Sequence, residues 1–314
     1  MRIKKRNSRN TTIVEKGGSK EKDIKGRERM KKTILALVLL VSAAYAQENL
    51  QSSRERELYR LARTDLKSFA REVSEGAGSE LTQAQMIVTW LAKHFEWKST
   101  DYRQRTVQEI IDRGGGNCND LALVAVAALK ELGVPMRRVH EINVHKLTPE
   151  RGETAHNMVK EKGVRFSVFG RHHNDHIWIE IHDSKTDEWY PADPSIGIVG
   201  TREWLMARAG FGKRFTLDRI SEDMIVPFAV FAADEKGAFT INRTSHYMIE
   251  EFGGLYKKKL SDLPSWNKWV RLIDELDEKA GGAFVGTVNL HDYENEIDEL
   301  ANVYSQLREE FLKK

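Results

Sequence analysis

The stretch Leu121 to Leu129 reads Leu-Ala-Leu-Val-Ala-Val-Ala-Ala-Leu and is apolar on every side of a helix. A helix without a polar face cannot lie on a surface, so it predicts a central element with other structure packed around it. Gly114-Gly115-Gly116-Asn117-Cys118-Asn119-Asp120 precedes it, a flexible glycine loop that brings the only cysteine of the chain to the first helical turn. Gly133 suits a C-cap, and Pro135 prevents continuation. The unpaired N–H groups of a first turn favour a thiolate over a thiol. They also offer donors to an oxyanion. Cys118 is therefore a candidate nucleophile, provided that a histidine and a carboxylate complete it.

Charge is unevenly distributed. Residues 1–46 carry 13 Lys/Arg against 4 Asp/Glu, while the rest of the chain is mildly acidic, near −6. Such a body argues against a nucleic-acid partner, which needs a basic face. Within the basic segment, Met30-Lys31-Lys32, the apolar run Ile34 to Val41 and Ala44-Tyr45-Ala46 have the order of a signal peptide cleaved before Gln47. The apolar run is short for a bilayer of ~30 Å, which disfavours an uncleaved anchor and stable membrane insertion. Residues 1–29 form a polar leader, and Met30 is the alternative start. The expected location is periplasmic or secreted. There a cysteine normally sits in a disulfide. With no second cysteine in the chain, Cys118 is a free thiol or pairs with another chain, and retention of a free thiol suggests use.

Helical spacing recurs along the first half. Arg54 to Val73 places Leu58, Leu61, Ala62, Phe69 and Val73 on one face. Thr82-x-x-Gln85 and Thr106-x-x-Glu109 have the form of capping boxes for two further helices. From Arg137 the period changes. Val139, Glu141 to Val144, Val164 to Phe169, Ile177 to Ile181 and Trp189-Tyr190 read as strands, with His145 to Lys162 a polar insertion. Asp183 to Glu188 is a turn, which makes Ile177 to Tyr190 a hairpin. The fold class is α+β. The expected organisation is a catalytic domain over 47–200 and a mostly helical region over 201–314. In the latter, Ser265 to Lys279 forms a helix that stops at Gly281-Gly282. Tyr293, Ile297, Leu300, Tyr304, Leu307 and Phe311 mark a last helix, docked on its own domain or serving as a weak dimer seam.

Strand alternation in Asp175-His176-Ile177-Trp178-Ile179-Glu180-Ile181 puts His176, Trp178 and Glu180 on one face and the isoleucines on the other. If the His176 face meets the Cys118 helix, the ring reaches the thiol, and the C-terminal helices cover the isoleucines. The hairpin then returns Asp193, in Tyr190-Pro191-Ala192-Asp193-Pro194, beside His176. His172, His173, Asp175, His176 and His182 also form a cluster, but no spacing in it matches a standard zinc pattern. No cofactor and no metal are expected.

Gly116-x-Cys118, Gly133-Val134-Pro135, His176-x-Trp178-x-Glu180 and Asp193-Pro194, in that order, resemble the transglutaminase-like superfamily over Leu81 to Ser195. The resemblance implies a papain-like core with a Cys-His-Asp triad. Cys118 would be the nucleophile, His176 the base and acid, and Asp193 the orienting carboxylate. The Cys118 N–H would be one oxyanion donor, with Trp90 and Trp97 as candidates for a second. It implies attack on amide or peptide carbonyls of a protein or peptide, cell-wall peptide included, through a thioester. Hydrolysis is favoured over transamidation, because an amine acceptor needs a site of its own. The alternative is a binding or scaffold module that keeps the fold without turnover.

Overall fold

The computed structural model describes residues 53–98, 103–144, 173–211, 226–284 and 287–313. The chain separates into a unit ending at Glu57, of which the helical residues 53–57 are described, and a unit from Leu58 to Lys314 that holds every other described element. The expected signal peptide (30–46), the strand Val164 to Phe169 and the insertion from His145 to Lys162 lie outside the described residues.

Local chemistry explains the first helices. The single helix expected from Arg54 to Val73 is instead two, α1 (58–64 within this unit) and α2 (Leu66–Val73). Asp65 divides them because its carboxylate accepts the Ser68 N–H at 3.0 Å and starts a new helix. For α3 (Glu80–His94), the cap is Ser79 and not Thr82, since the extended Ser79 places its hydroxyl on the Thr82 N–H. Thr106 and Glu109 form the expected capping box of α4 (Val107–Arg113). Next comes α5 (Cys118–Glu131), with Leu121, Ala122, Val124, Ala125, Ala128 and Leu129 buried.

Two short strands, β1 (Glu96–Trp97) and β2 (Gly115–Gly116), pair in parallel just ahead of α5. The main sheet contains β3 (Met136–Val144), β4 (His173–Asp183), β5 (Glu188–Asp193), β6 (Ile198–Val199), β7 (Val226–Ala233) and β8 (Phe239–Asn242). Its order is β6-β5-β4-β3-β7-β8, with every neighbouring pair antiparallel. The hairpin read from the turn Asp183 to Glu188 is β4–β5. Helices α6 (Thr201–Arg208), α7 (Trp266–Phe284) and α8 (Glu294–Lys313) follow, with a π-helical turn over His246–Glu251. The region after residue 200 is thus mostly helical, and it also adds β7 and β8 to the sheet through the β3–β7 ladder.

One expectation is reversed. Ile177, Ile179 and Ile181 of β4 and Ala192 of β5 share a core with α2, α3, α4 and α5. Trp178 instead joins the second core, with residues of α6, α7 and α8. The isoleucine face therefore meets the Cys118 helix, and the Trp178 face meets the C-terminal helices. Packing explains the choice. Helix α5 presents small and branched aliphatic residues that isoleucines interdigitate with, while Trp178 packs beside the rings of Trp204 (4.7 Å) and Tyr247 (5.5 Å).

Two features of the C-terminal region also differ from expectation or refine it. Helix α7 does not stop at Gly281-Gly282. A side chain on Gly282 would collide with Val288, so this glycine permits close packing inside the helix. The apolar seam of α8, including Ile297, Leu300, Tyr304 and Leu307, is buried in the same core as Trp269 and Ile273 of α7, so it is used within the chain. Among the described residues no helix is long and apolar enough to cross a membrane.

Ile179→Ala should cost ~2–5 kcal/mol of unfolding free energy, because it empties a fully buried site between β4 and α5. Leu312→Ala, at a position 59% exposed, should stay within about 0.5 kcal/mol. Urea titration of both variants measures the contrast.

Candidate active site

The glycines before Cys118 provide close approach rather than flexibility. Gly115 has φ +139°, and a Cβ there would strike the Glu96 backbone across the β1–β2 pair. A Cβ on Gly116 would strike the Asp120 side chain. Asn117 and Asp120 then close a capping box, the Asn117 side chain accepting the Asp120 N–H (3.0 Å) and the Asp120 carboxylate accepting the Asn117 N–H (3.3 Å). Arg105 lies 3.4 Å from the buried Asp120 carboxylate. The N–H groups of Cys118 and Asn119, in the first turn, have no carbonyl four residues back within the helix. Cys118 is a half-buried free thiol at this point.

The structure brings all three predicted residues together. His176 Nε2 lies 2.7 Å from Asp193 Oδ2, and the Cys118 thiol is near enough to the same ring to help hold its proton. Asp193 also accepts the Ser195 N–H through Oδ1 at 2.9 Å, which fixes the carboxylate plane. The ring shares its strand face with Trp178, yet it meets a helix on the other side of the sheet. The edge of β4 allows this. The β4–β5 ladder runs from Asp183 only to Ile179, so among the described residues no β5 pairing partner stands opposite His176.

Charge follows from this geometry. Burial opposes a charge on His176, but the neighbouring Asp193 carboxylate outweighs it and carries the imidazole from its ordinary 6.5 up to about 10. The Arg208 cation pulls the other way. Burial likewise opposes charge on Asp193, and the adjacent His176 holds the carboxyl below its ordinary value. The pair is an imidazolium–carboxylate couple at neutral pH.

Several residues were not anticipated from sequence. Glu141, opposite His176 across β3–β4, is fully buried. It accepts from Trp178 Nε1 (3.0 Å), Asn143 Nδ2 (2.7 Å) and Arg208. Arg208 comes from α6, beyond the segment that carries the sequence motifs, so no local pattern marks it. Glu180, part of the same motif as His176, stands elsewhere: Arg137 Nε (2.6 Å), Arg243 Nε (3.0 Å) and the Tyr247 hydroxyl (2.6 Å) enclose it as an anchor between sheet and C-terminal region. Trp90 stacks on His94 inside the helical core. Trp97 is 45% exposed and pairs with Gly116, next to the Cys118 turn. His182 is partnered by Asp187 and His140 by Asp175, while His172 lies outside the described residues. Among the described residues no group of three or more His, Cys, Asp or Glu is placed to hold a metal ion.

The couple gives stability a pH signature. A histidine with a raised folded value stabilises fully below its unfolded value near 6.5, and that contribution is lost as pH rises toward about 10. The Asp193 contribution is present above its ordinary 3.8 and is lost at more acid pH. The melting temperature should therefore fall from pH 6.5 to 10, and His176→Gln should flatten that fall. Calorimetry of both proteins over this range is the check, and parallel curves would contradict it.

Residues 67–194 match the model of the transglutaminase-like superfamily. No curated protein matches the chain. Among solved structures, Legionella pneumophila LapG is similar at 13% identity, covering 64% of this chain and 94% of that one, with a TM-score of 0.32. Red sea bream transglutaminase is similar at 14% identity over 62% of this chain and 38% of its own, with a TM-score of 0.34. A candidate cysteine protease from Cytophaga hutchinsonii gives 14%, 52% of this chain, 41% of that chain and 0.31. The chain thus spans less than half the length of the last two. Residues 67–194, with Cys118, His176 and Asp193 inside them, are a transglutaminase-like domain.

Proposed function

We propose that this protein is an exported cysteine enzyme that cleaves amide or peptide bonds through a thioester, with Cys118 as nucleophile, His176 as acid and base and Asp193 as the orienting carboxylate. The observation that carries this reading is the 2.7 Å bond between His176 and Asp193 beside Cys118 at the start of α5. In the first half-reaction the thiolate sulfur adds to the carbonyl carbon. The oxyanion is received by N–H groups at the start of α5. His176 passes its proton to the leaving nitrogen, the C–N bond breaks, and the amine departs. In the second, His176 takes a proton from water as the water oxygen adds to the thioester carbon. The C–S bond breaks and Cys118 returns as thiolate beside the imidazolium. An amine in place of water gives transamidation by the same steps. Hydrolysis is preferred here because water needs no dedicated subsite. The substrate class is a protein or peptide, including cell-wall peptide, met outside the cytosol after removal of residues up to Ala46.

Mature protein and its Cys118→Ala variant, assayed on a peptide library for cleavage, ammonia release and amine incorporation, test the chemistry. Cleavage by the first and a loss of at least ~10³-fold in the second are expected, and Asp193→Asn should fall by ~10²–10⁴. Silence from both proteins in all three assays would favour a scaffold that does not turn over. Iodoacetamide tests the ion pair directly. Alkylation of Cys118 should already be fast at pH 5–6 and slow markedly in His176→Ala. A rate that climbs only near the free-thiol value of ~8.5 would contradict the mechanism. N-terminal sequencing of protein recovered from the medium or periplasm tests export, with Gln47 expected first.

A further inference from the structure

We propose that Arg208, clamped by Glu141, is a positioning residue that supplies a fixed buried cation behind the His176–Asp193 couple; this rests on the reading of that couple as catalytic. Three observations place it there. Glu141 is the cross-strand partner of His176, so both lie on the β3–β4 face that meets the C-terminal core. Arg208 reaches in from α6 and bonds the Glu141 carboxylate, with Arg208 6% and Glu141 0% exposed. Asn143 Nδ2 shares Oε1 of that carboxylate with Arg208, and Trp178 Nε1 bonds Oε2.

A buried ion pair is a poor means of stabilising a core. Its desolvation consumes most of its attraction, and apolar residues of similar volume do as well or better. The geometry also spends little of Arg208 on hydrogen bonding. Its buried Nε has no hydrogen-bond partner among the described residues. What the guanidinium does offer is charge, and that charge acts on both members of the couple. It favours the ionised Asp193 carboxylate and opposes the proton on His176. Both effects suit an acid–base catalyst. Asp193 stays ionised to orient the ring, and His176 releases its proton to a leaving amine more readily than Asp193 alone would permit.

The charged surroundings of His176 support assigning this effect to Arg208. Asp193 bonds it from β5, Cys118 approaches from α5, and Arg208 of α6 acts on it by charge from its place on Glu141, which stands opposite on β3. Glu180, further along β4, is already matched by Arg137 and Arg243 and bonded by Tyr247 of the π-helical turn. Asp175, on the opposite strand face, is bonded to His140. Arg208 is thus the one cation in this set whose charge bears on both His176 and Asp193.

The test is the pH dependence of Cys118 alkylation and of peptide turnover in the wild type, Arg208→Gln, Arg208→Lys and the double variant Glu141→Gln/Arg208→Gln. Loss of a cation raises every neighbouring protonation equilibrium. In Arg208→Gln the acid and alkaline limbs should therefore both move to higher pH, by about one unit. Arg208→Lys should return them toward the wild-type positions. The double variant, in which neutral amides replace the ion pair, loses an anion as well as a cation and should therefore move both limbs the same way but less far, and it decides the matter should Arg208→Gln fail to fold. A proton NMR titration of His176 reads the same displacement independently of activity. Profiles of Arg208→Gln or the double variant that superimpose on the wild type after scaling would overturn the proposal, since a merely structural role lowers a profile without moving it. So would Arg208→Lys limbs displaced as far as those of Arg208→Gln. A wild type whose Cys118 lacks reactivity at low pH would instead overturn the catalytic reading itself, and the His176 titration would still judge Arg208.

Discussion

Strand β4 is where the two cores meet, and its alternation is the constraint on which the rest depends. Ile177, Ile179 and Ile181 are committed to the helical core that contains α5, and Trp178 to the core built by the C-terminal helices. A slip of one residue would exchange these sets and bury isoleucines among aromatic rings. Because both faces are occupied, the register of β4 against β3 and β5 has little freedom. That fixes His176 relative to Glu141 on one neighbour and to Asp193 on the other. The site inherits its geometry from apolar packing a few residues away.

The polar groups on the Trp178 side follow a second rule: a charge removed from water must find a partner. Asp193 has His176, Glu141 has Arg208, and Glu180 has Arg137 and Arg243. These pairs run along a sheet face otherwise made of large apolar side chains, and they tie β3, β4 and β5 to α6 and the segment around Tyr247. The C-terminal region therefore does more than cover the sheet. It delivers Arg208 to the Glu141 carboxylate, opposite His176.

Much of the site could be read from sequence, because its signals are local. A glycine run before an apolar helix marked Cys118, and a strand with a return turn linked His176 to Asp193 across 17 residues. The choice of face could not be read. Alternation gives two faces but not which core each will meet, and that depends on volumes contributed by helices distant in sequence. The cap of α3 was misplaced for a related reason. Ser79 and Thr82 both carry hydroxyls, and only the backbone conformation at Ser79 decides between them. Arg208 lay beyond any pattern, since its meaning comes from Glu141, 67 residues away.

The reversed faces also explain why the site sits at a strand edge. Had the His176 face packed directly on α5, thiol and ring would have met in the middle of the helix–sheet interface. With the isoleucines in that interface, the ring meets Cys118 at the end of the β4–β5 ladder, beside the first turn of α5. Around the start of the helix Gly116, Asn117 and Asp120 are buried, while Cys118 and Asn119 stay partly open. Apolar side chains seal the middle of the interface, and the chemistry is left to its rim. Cys118, only partly buried there, stands beside the buried His176–Asp193 couple.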